Sequence, residues 1–180
     1  MSAIYYVRHG QTDQNKAKIL TGRTNVPIND LGEEQAKQTA ETLKSIKFDV
    51  VFCSPLLRAR QTADIINKSH NLPIKEDSRI IERDYGDYTQ KSTSEIDRQI
   101  SWNWFDCDAK YPNIESPKQI YDRVESFINM LKADYKDKNI LVVAHSGVGR
   151  LFNVYFNGLP KDGDLLNTSL QNAEVTKFNF

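Results

Sequence analysis

Ala3-Ile4-Tyr5-Tyr6-Val7-Arg8-His9-Gly10 decides how this chain is read. Five apolar or small residues form a short, β-rich run, and an arginine and a histidine follow it directly. A buried strand that stops there delivers both side chains to its carboxyl end, where ligands bind in α/β folds. The arrangement recurs late in the chain, where Ile140-Leu141-Val142-Val143-Ala144 runs into His145-Ser146-Gly147. One chain therefore makes two strand-end histidines, each with a glycine close behind.

Between them the pattern alternates. Residues 11–29 are polar and carry Gly22 and Pro27, a loop with room for one helical turn. Asn29-Asp30 opens a helix with acids in its first turn, ending near Ile46. Asp49 to Cys53 is a second strand. Ser54-Pro55 reads as a capping serine and a proline at the first helical position, opening a helix to about Ser69 with Leu56, Ala59, Ala63 and Ile66 on one face. Ile74 to Glu76 is a short strand, and Arg79 to Gln90 a loop.

Ser92 to Asp108 reads as helical, with Ile96, Ile100, Trp104 and Phe105 inward. Ser116-Pro117 repeats the cap device before a clear amphipathic helix through Ile120, Val124, Phe127, Ile128 and Leu131. After the strand at 139–144, a short helix spans Val148 to Phe156, and Val175 to Phe180 alternates like an edge strand. The order predicts a three-layer α/β/α sandwich with a mainly parallel central sheet. Residues 1–180 read as one domain, with a short insertion at about 83–117 over the sheet.

The bulk numbers fit. Hydrophobic residues make up 39% and charged residues 27% of 180, which suits a globular domain with a full core. Lys+Arg and Asp+Glu both total 24, which argues against a general nucleic-acid or anionic-membrane binder. Any anion recognition must come from local clustering. Cys53 and Cys107 imply no disulfide framework, so a reducing compartment is expected. No apolar run is long enough to span a membrane, and Arg8 ends the first too early for a signal peptide. The chain reads as cytoplasmic.

An arginine beside a histidine suits an anion more than a metal, because a cation repels a metal while a guanidinium matches phosphate oxygens. The three histidines, 9, 70 and 145, show no ligand spacing. Asn15 offers an amide in the same loop, and Gly22-Arg23 a flexible backbone and a further cation. Arg58 falls on the first turn of the helix after the second strand, where the helix amino terminus also favours an anion. Arg60 points elsewhere on that helix. His145 and the Ser146-Gly147 backbone stand at another helix start. His70 reads as a helix-end residue and Cys53 as core.

These segments resemble the histidine phosphatase superfamily, the phosphoglycerate mutase-like proteins. The resemblance runs through Val7-Arg8-His9-Gly10-Gln11-Thr12 with Asn15, Thr21-Gly22-Arg23, Leu31-Gly32-Glu33-Glu34-Gln35-Ala36, Ser54-Pro55-Leu56-Leu57-Arg58-Ala59-Arg60-Gln61-Thr62-Ala63, Glu82-Arg83-Asp84-Tyr85-Gly86, and Val142-Val143-Ala144-His145-Ser146-Gly147 with Arg150. It implies that His9 is the nucleophile that becomes phosphohistidine. Arg8, Arg58 and His145 would clamp the phosphoryl oxygens, helped by Asn15 and the Ser146 N–H. Glu82 would be the general acid and then the base. Gly22, Arg23 and Tyr85 would line the substrate site, Arg23 and Tyr85 against its non-phosphate part. Two arginines and an imidazolium would roughly balance a phosphate dianion, so no metal or other cofactor is expected.

The implied enzyme is a phosphoric monoester hydrolase of the histidine acid phosphatase type, acting on small phosphorylated metabolites. The alternatives are a phosphoglycerate mutase and a non-catalytic phosphate-binding module. The family's glycolytic mutases carry an adjacent arginine pair in a longer insertion. Here Arg98 and Arg123 are the sole arginines between Asp84 and Lys138, so the sequence lacks that arginine-pair carboxylate clamp. Trp102, Trp104 and Phe105 read as packing for the insertion, with lining of the substrate mouth as the competing role. Oligomeric state stays open.

Overall fold

The computed structural model describes residues 2–180. The elements are β1 (Ala3–Arg8), α1 (Asp13–Lys16), α2 (Asp30–Leu43), β2 (Val50–Cys53), α3 (Leu57–Asn67), β3 (Ile74–Glu76), α4 (Arg98–Ser101), α5 (Cys107–Lys110), α6 (Pro117–Asp134), β4 (Asn139–Ala144), α7 (Ser146–Asn157) and β5 (Val175–Asn179). The five strands form one sheet in the order β3-β2-β4-β1-β5. β5 is antiparallel to β1, and the other pairs are parallel.

Side chains alternate along a strand, so each central strand feeds two cores. Ile4, Tyr6, Val50, Phe52, Ile140 and Val142 face α6 and α7. Val7, Val51, Cys53, Leu141 and Val143 face α2 and α3. The result is the expected three-layer sandwich. The strand order sets the three carboxyl ends of β2, β4 and β1 side by side. The ladder continues one residue past them, since His9 N–H donates to Ala144 O (3.0 Å) and Ser54 N–H to Val143 O (3.0 Å).

The caps explain several boundaries. The Asn29 side chain accepts from Gly32 N–H, and Ser116 makes a capping box with Gln119 ahead of Pro117. Ser54-Pro55 does not open a helix, however. α3 begins at Leu57, its N-cap Leu56 has no side-chain hydrogen bond, and Ser54 is turned toward His145. α2 ends at Leu43, short of Ile46, and α7 starts two residues before Val148. His70 lies beyond α3, with its ring edge-on to Phe48 at 4.9 Å.

Ser92 to Asp108 is not one helix. It is a 3-10 turn (Thr93–Glu95) and the short α4, with α5 beginning at Cys107. Polar side chains compete for the backbone here. Ser92 accepts from Ser94 N–H, Asp97 from Ile100 N–H, and Asn103 from the N–H groups of Phe105 and Asp106. Phe105, expected inward, is exposed, while Ile96 and Trp102 are buried. Leu20, Ile96, Cys107, Tyr111 and Ile114 form a small core under this segment. No helix among the described residues is long and apolar enough to cross a membrane.

Candidate active site

A cavity of about 500 Å³ opens over the carboxyl ends of β1 and β4 and the start of α3. His9 sits at its base, 3% exposed. Its Nδ1 is 2.7 Å from the Gly10 carbonyl. A carbonyl can only accept, so Nδ1 carries the hydrogen and Nε2 keeps its lone pair. Arg58 Nε donates to that lone pair at 3.2 Å. Gly10 makes this turn possible, because a Cβ there would collide with the Gly32 backbone.

Arg58 is almost fully buried on the first turn of α3. Its Nη1 donates to Thr24 O (2.8 Å) and its Nη2 to Gly22 O (2.7 Å). Gly22 adopts φ +51°, a backbone state that favours glycine, so its part in the site is to aim Arg58 as well as to line the cavity. Burial lowers the Arg58 pKa to about 10. Arg8 Nη1 donates to Leu170 O at 2.6 Å, and its buried Nε has no partner.

His145 lies beside His9, with ring centroids 5.2 Å apart. Its backbone is held by Tyr6, whose hydroxyl donates to His145 O (2.6 Å) and accepts from His145 N–H (3.1 Å). Its Nε2 is 2.7 Å from Ser54 Oγ, which also accepts from Leu56 N–H at 3.3 Å. With the Ser54 hydroxyl donating to Nε2, the hydrogen of neutral His145 falls on Nδ1. That Nδ1 is buried and has no protein partner, the condition of a donor reserved for a ligand.

Burial, and then the nearby Arg58, hold both His9 and His145 well below the ordinary histidine pKa. Without a bound anion this favours the neutral form of both rings, and positive charge at the base of the cavity then comes from Arg8 and Arg58.

Glu82 reaches the same cavity from the loop after β3. Its Oε1 accepts from Arg83 N–H (2.8 Å) and its Oε2 from Gly147 N–H (3.3 Å), at the start of α7. A side chain at Gly147 would strike Glu82 Oε1. Asn15 Oδ1 accepts from Thr12 N–H and from Asn172 Nδ2, leaving its Nδ2 hydrogens as the donor end. Ser146 lines the cavity as the first residue of α7, and its Oγ is paired with Ser169 at 3.1 Å. Tyr85 also lines it, half-buried, with its phenol pKa raised by burial.

The structure thus brings together Arg8, His9, Asn15, Gly22, Arg58, Glu82, Tyr85 and Ser146, with His145 buried beside them. Arg23 is elsewhere. It does not line this cavity; it pairs with Glu115 (3.2 Å) and Asp84 (3.7 Å), and its Nε donates to Glu82 O (3.2 Å). It braces the Glu82 backbone from outside. Arg60 pairs with Asp64 and Glu76 away from the site.

Sequence reasoning missed Ser54 and Tyr6 as supports of His145, and Asn172, whose Nδ2 donates to His9 O. It also missed Lys18 and Arg98 in the lining and the buried Arg83, whose guanidinium lies 4.3 Å from the Trp102 ring centre. An arginine next to Glu82 was the one available signal. Trp102 takes both roles weighed for it, buried in the main core and lining the cavity. No cluster of three or more His, Cys, Asp or Glu placed to hold a metal ion occurs among the described residues.

A strand-end histidine whose unprotonated Nε2 faces the Arg58 guanidinium, with Arg8 and a second histidine beside it, defines a phosphoryl-transfer class of site. The family model described as histidine phosphatase superfamily (branch 1) matches residues 4–180, and the chain belongs to that superfamily. It is 35% identical over 180 residues to the uncharacterized phosphatase PhoE of Bacillus subtilis, covering 100% of this chain and 89% of that one. It is 30% identical over 164 residues to the adenosylcobalamin/alpha-ribazole phosphatase of Escherichia coli, covering 88% and 81%. The crystal structure of a putative alpha-ribazole-5'-P phosphatase from Escherichia coli superposes with a TM-score of 0.83 at 26% identity, covering 98% of this chain and 89% of that one.

Proposed function

We propose that this protein is a phosphomonoesterase for small phosphorylated metabolites, working through a phosphohistidine on His9. The observation that carries the reading is the His9 ring itself, with Nδ1 tied to Gly10 O and Nε2 presented with its lone pair beside Arg58. In the first step His9 Nε2 forms a bond to phosphorus and the P–O ester bond breaks. The leaving oxygen takes its proton from the Glu82 carboxyl. In the second step the Glu82 carboxylate takes a proton from water, the water oxygen bonds to phosphorus, and the P–N bond breaks to release inorganic phosphate. Arg8, Arg58, His145 Nδ1, Asn15 and the Ser146 N–H hold the phosphoryl oxygens, where charge builds up in the transition state.

The depressed histidine pKa values support activity extending into the acid range, the property that the histidine acid phosphatase type is named for. Two free, buried cysteines support a cytoplasmic location.

Turnover of p-nitrophenyl phosphate without added metal tests the reading, together with trapping of a phosphoenzyme in an alkaline detergent quench. An acid-labile, base-stable phosphoenzyme is expected, and its survival in His9→Ala would move the nucleophile elsewhere. Incubation with 3-phosphoglycerate and a trace of 2,3-bisphosphoglycerate separates hydrolysis from mutase chemistry. Free phosphate is expected to form faster than 2-phosphoglycerate, and the reverse order would make the protein a mutase.

A further inference from the structure

Glu82 stands in a stretch with no helix or strand of its own, residues 81–85. Its carboxyl group meets Gly147 N–H through one long hydrogen bond of 3.3 Å, and its other bond is to the next residue, Arg83 N–H. Proton transfer needs the carboxyl within hydrogen-bond reach of the leaving oxygen, and a misplacement of about 1 Å costs about 100-fold in rate. The backbone under Glu82 must therefore be fixed from elsewhere.

That support comes from Glu115 and Arg123. Glu115 directly precedes the Ser116 capping box, and Arg123 lies further along α6, so both sit on a well-held frame. All five hydrogens of the Arg123 guanidinium are used. Nη1 donates to Arg79 O and Ile81 O (both 2.7 Å), Nη2 to Glu82 O (3.4 Å) and Glu115 Oε2 (3.0 Å), and Nε to Glu115 Oε1 (2.7 Å). Glu115 Oε1 also pairs with Arg23 Nη2 (3.2 Å), and Arg23 Nε is the second donor on Glu82 O (3.2 Å). Glu115 Oε2 accepts from Asp84 N–H, and Glu115 N–H donates to Asp84 O, both at 3.0 Å. One carboxylate thus ties together two guanidiniums that meet on the Glu82 carbonyl. The Glu115 and Arg123 side chains are only 12% and 17% exposed, so water competes little for these bonds. Neither residue lines the catalytic cavity.

We infer that Glu115 and Arg123 are positioning residues for Glu82, fixing residues 79–84 so that its carboxyl group points into the cavity. This rests on the phosphomonoesterase reading above, in which Glu82 is the acid and then the base. A pair that only joined α6 to its neighbours would not need to hold residues 79, 81, 82 and 84 in turn. The planar fork of Arg123 is required, because a lysine ammonium is a single point donor and cannot serve the same carbonyls and carboxylate together.

Glu115→Gln and Arg123→Lys test this, with glycerol 3-phosphate as an alkyl substrate and p-nitrophenyl phosphate as an aryl one, each variant assayed well below its own Tm. In both, kcat for the alkyl substrate should fall by about 50-fold with KM little changed, while the aryl substrate loses less than about fivefold. In a Glu82→Gln background, Glu115→Gln should cost less than about threefold more on the alkyl substrate, because the group it positions is gone. A merely structural role would carry its full cost into that background. Arg23→Gln, at an exposed side chain, should repeat the asymmetry at smaller size, and it decides the matter if neither of the partly buried variants folds. Equal losses on the two substrates in these variants, an undiminished loss in the Glu82→Gln background, or wild-type alkyl activity overturns the inference. If Glu82→Gln alone lowers both substrates equally, the role assigned to Glu82 fails, and this inference with it. If the wild type leaves p-nitrophenyl phosphate intact, the phosphomonoesterase reading itself falls.

Discussion

Ser54 Oγ lies 2.7 Å from His145 Nε2, across 91 residues of chain. The hydroxyl accepts from Leu56 N–H and still has a hydrogen to give to the ring. Given to Nε2, that hydrogen places the ring's own hydrogen on Nδ1, the nitrogen then able to donate to a phosphoryl oxygen.

Ser54→Ala should therefore lower kcat by about 10- to 100-fold, the loss of one oriented hydrogen bond worth about 1.5–3 kcal/mol to a charged transition state. KM should change little, and Ser54→Thr should restore much of the rate. Nitrogen-15 NMR of the His145 ring provides an independent reading. Nδ1 should show as the protonated nitrogen in the wild type and lose that assignment in Ser54→Ala. A wild-type ring protonated at Nε2 when neutral would show that Ser54 has no such role.

Gly147 controls Glu82. Its N–H donates to Oε2, and a Cβ at this position would collide with Oε1. Gly147→Ala should displace the carboxyl group, slowing hydrolysis of alkyl phosphates by about 100-fold while aryl phosphates, whose leaving groups need little protonation, lose less than about tenfold. Glu82→Gln should show the same asymmetry. Equal losses on both substrate types would mean that Glu82 is not the acid.

The neutral histidines make stability depend on pH. The folded pKa values of His9 and His145 lie below the unfolded value of about 6.5, so below that pH the unfolded chain binds protons that the folded chain refuses. Their contribution to stability is present above about pH 6.5 and falls with decreasing pH until the folded values are reached, by at most about 1.4 kcal/mol per pH unit for each histidine. Denaturant unfolding at pH 7.5, 6.5 and 5.5 measures it. His145→Asn should flatten the slope between the two lower points. An unchanged slope would show that His145 titrates alike in both states.

Tyr6 holds the His145 backbone from the adjacent strand. Tyr6→Phe leaves the buried His145 N–H without its partner and should cost about 1–3 kcal/mol, several degrees in Tm. Thermal unfolding checks it, and a Tm within a degree of wild type would show that the bond adds nothing.

Most elements were legible because their signals are local. Strand runs, Asn29, Ser116-Pro117 and the apolar stripe of α6 each act within a few residues. Segment 92–108 misled for the opposite reason. Its apolar spacing suggested a helix, but Ser92, Asp97 and Asn103 take up the backbone donors one turn at a time. Ser54-Pro55 carried a helix-start signature, yet the serine's better partner was a buried ring just past the end of another strand.

By itself the sequence determined the α/β alternation, the strand ends bearing Arg8-His9 and His145, and the motif order that marks the superfamily. Periodicity, caps and residue type are properties of neighbours in the chain, and they sufficed. Only tertiary structure decided that Ser54 and Tyr6 support His145, that Arg23 braces Glu82 from outside the cavity, and that Lys18 and Arg98 share its rim. The strand order β3-β2-β4-β1-β5 makes distant strand ends adjacent, and no local pattern encodes which ends will meet.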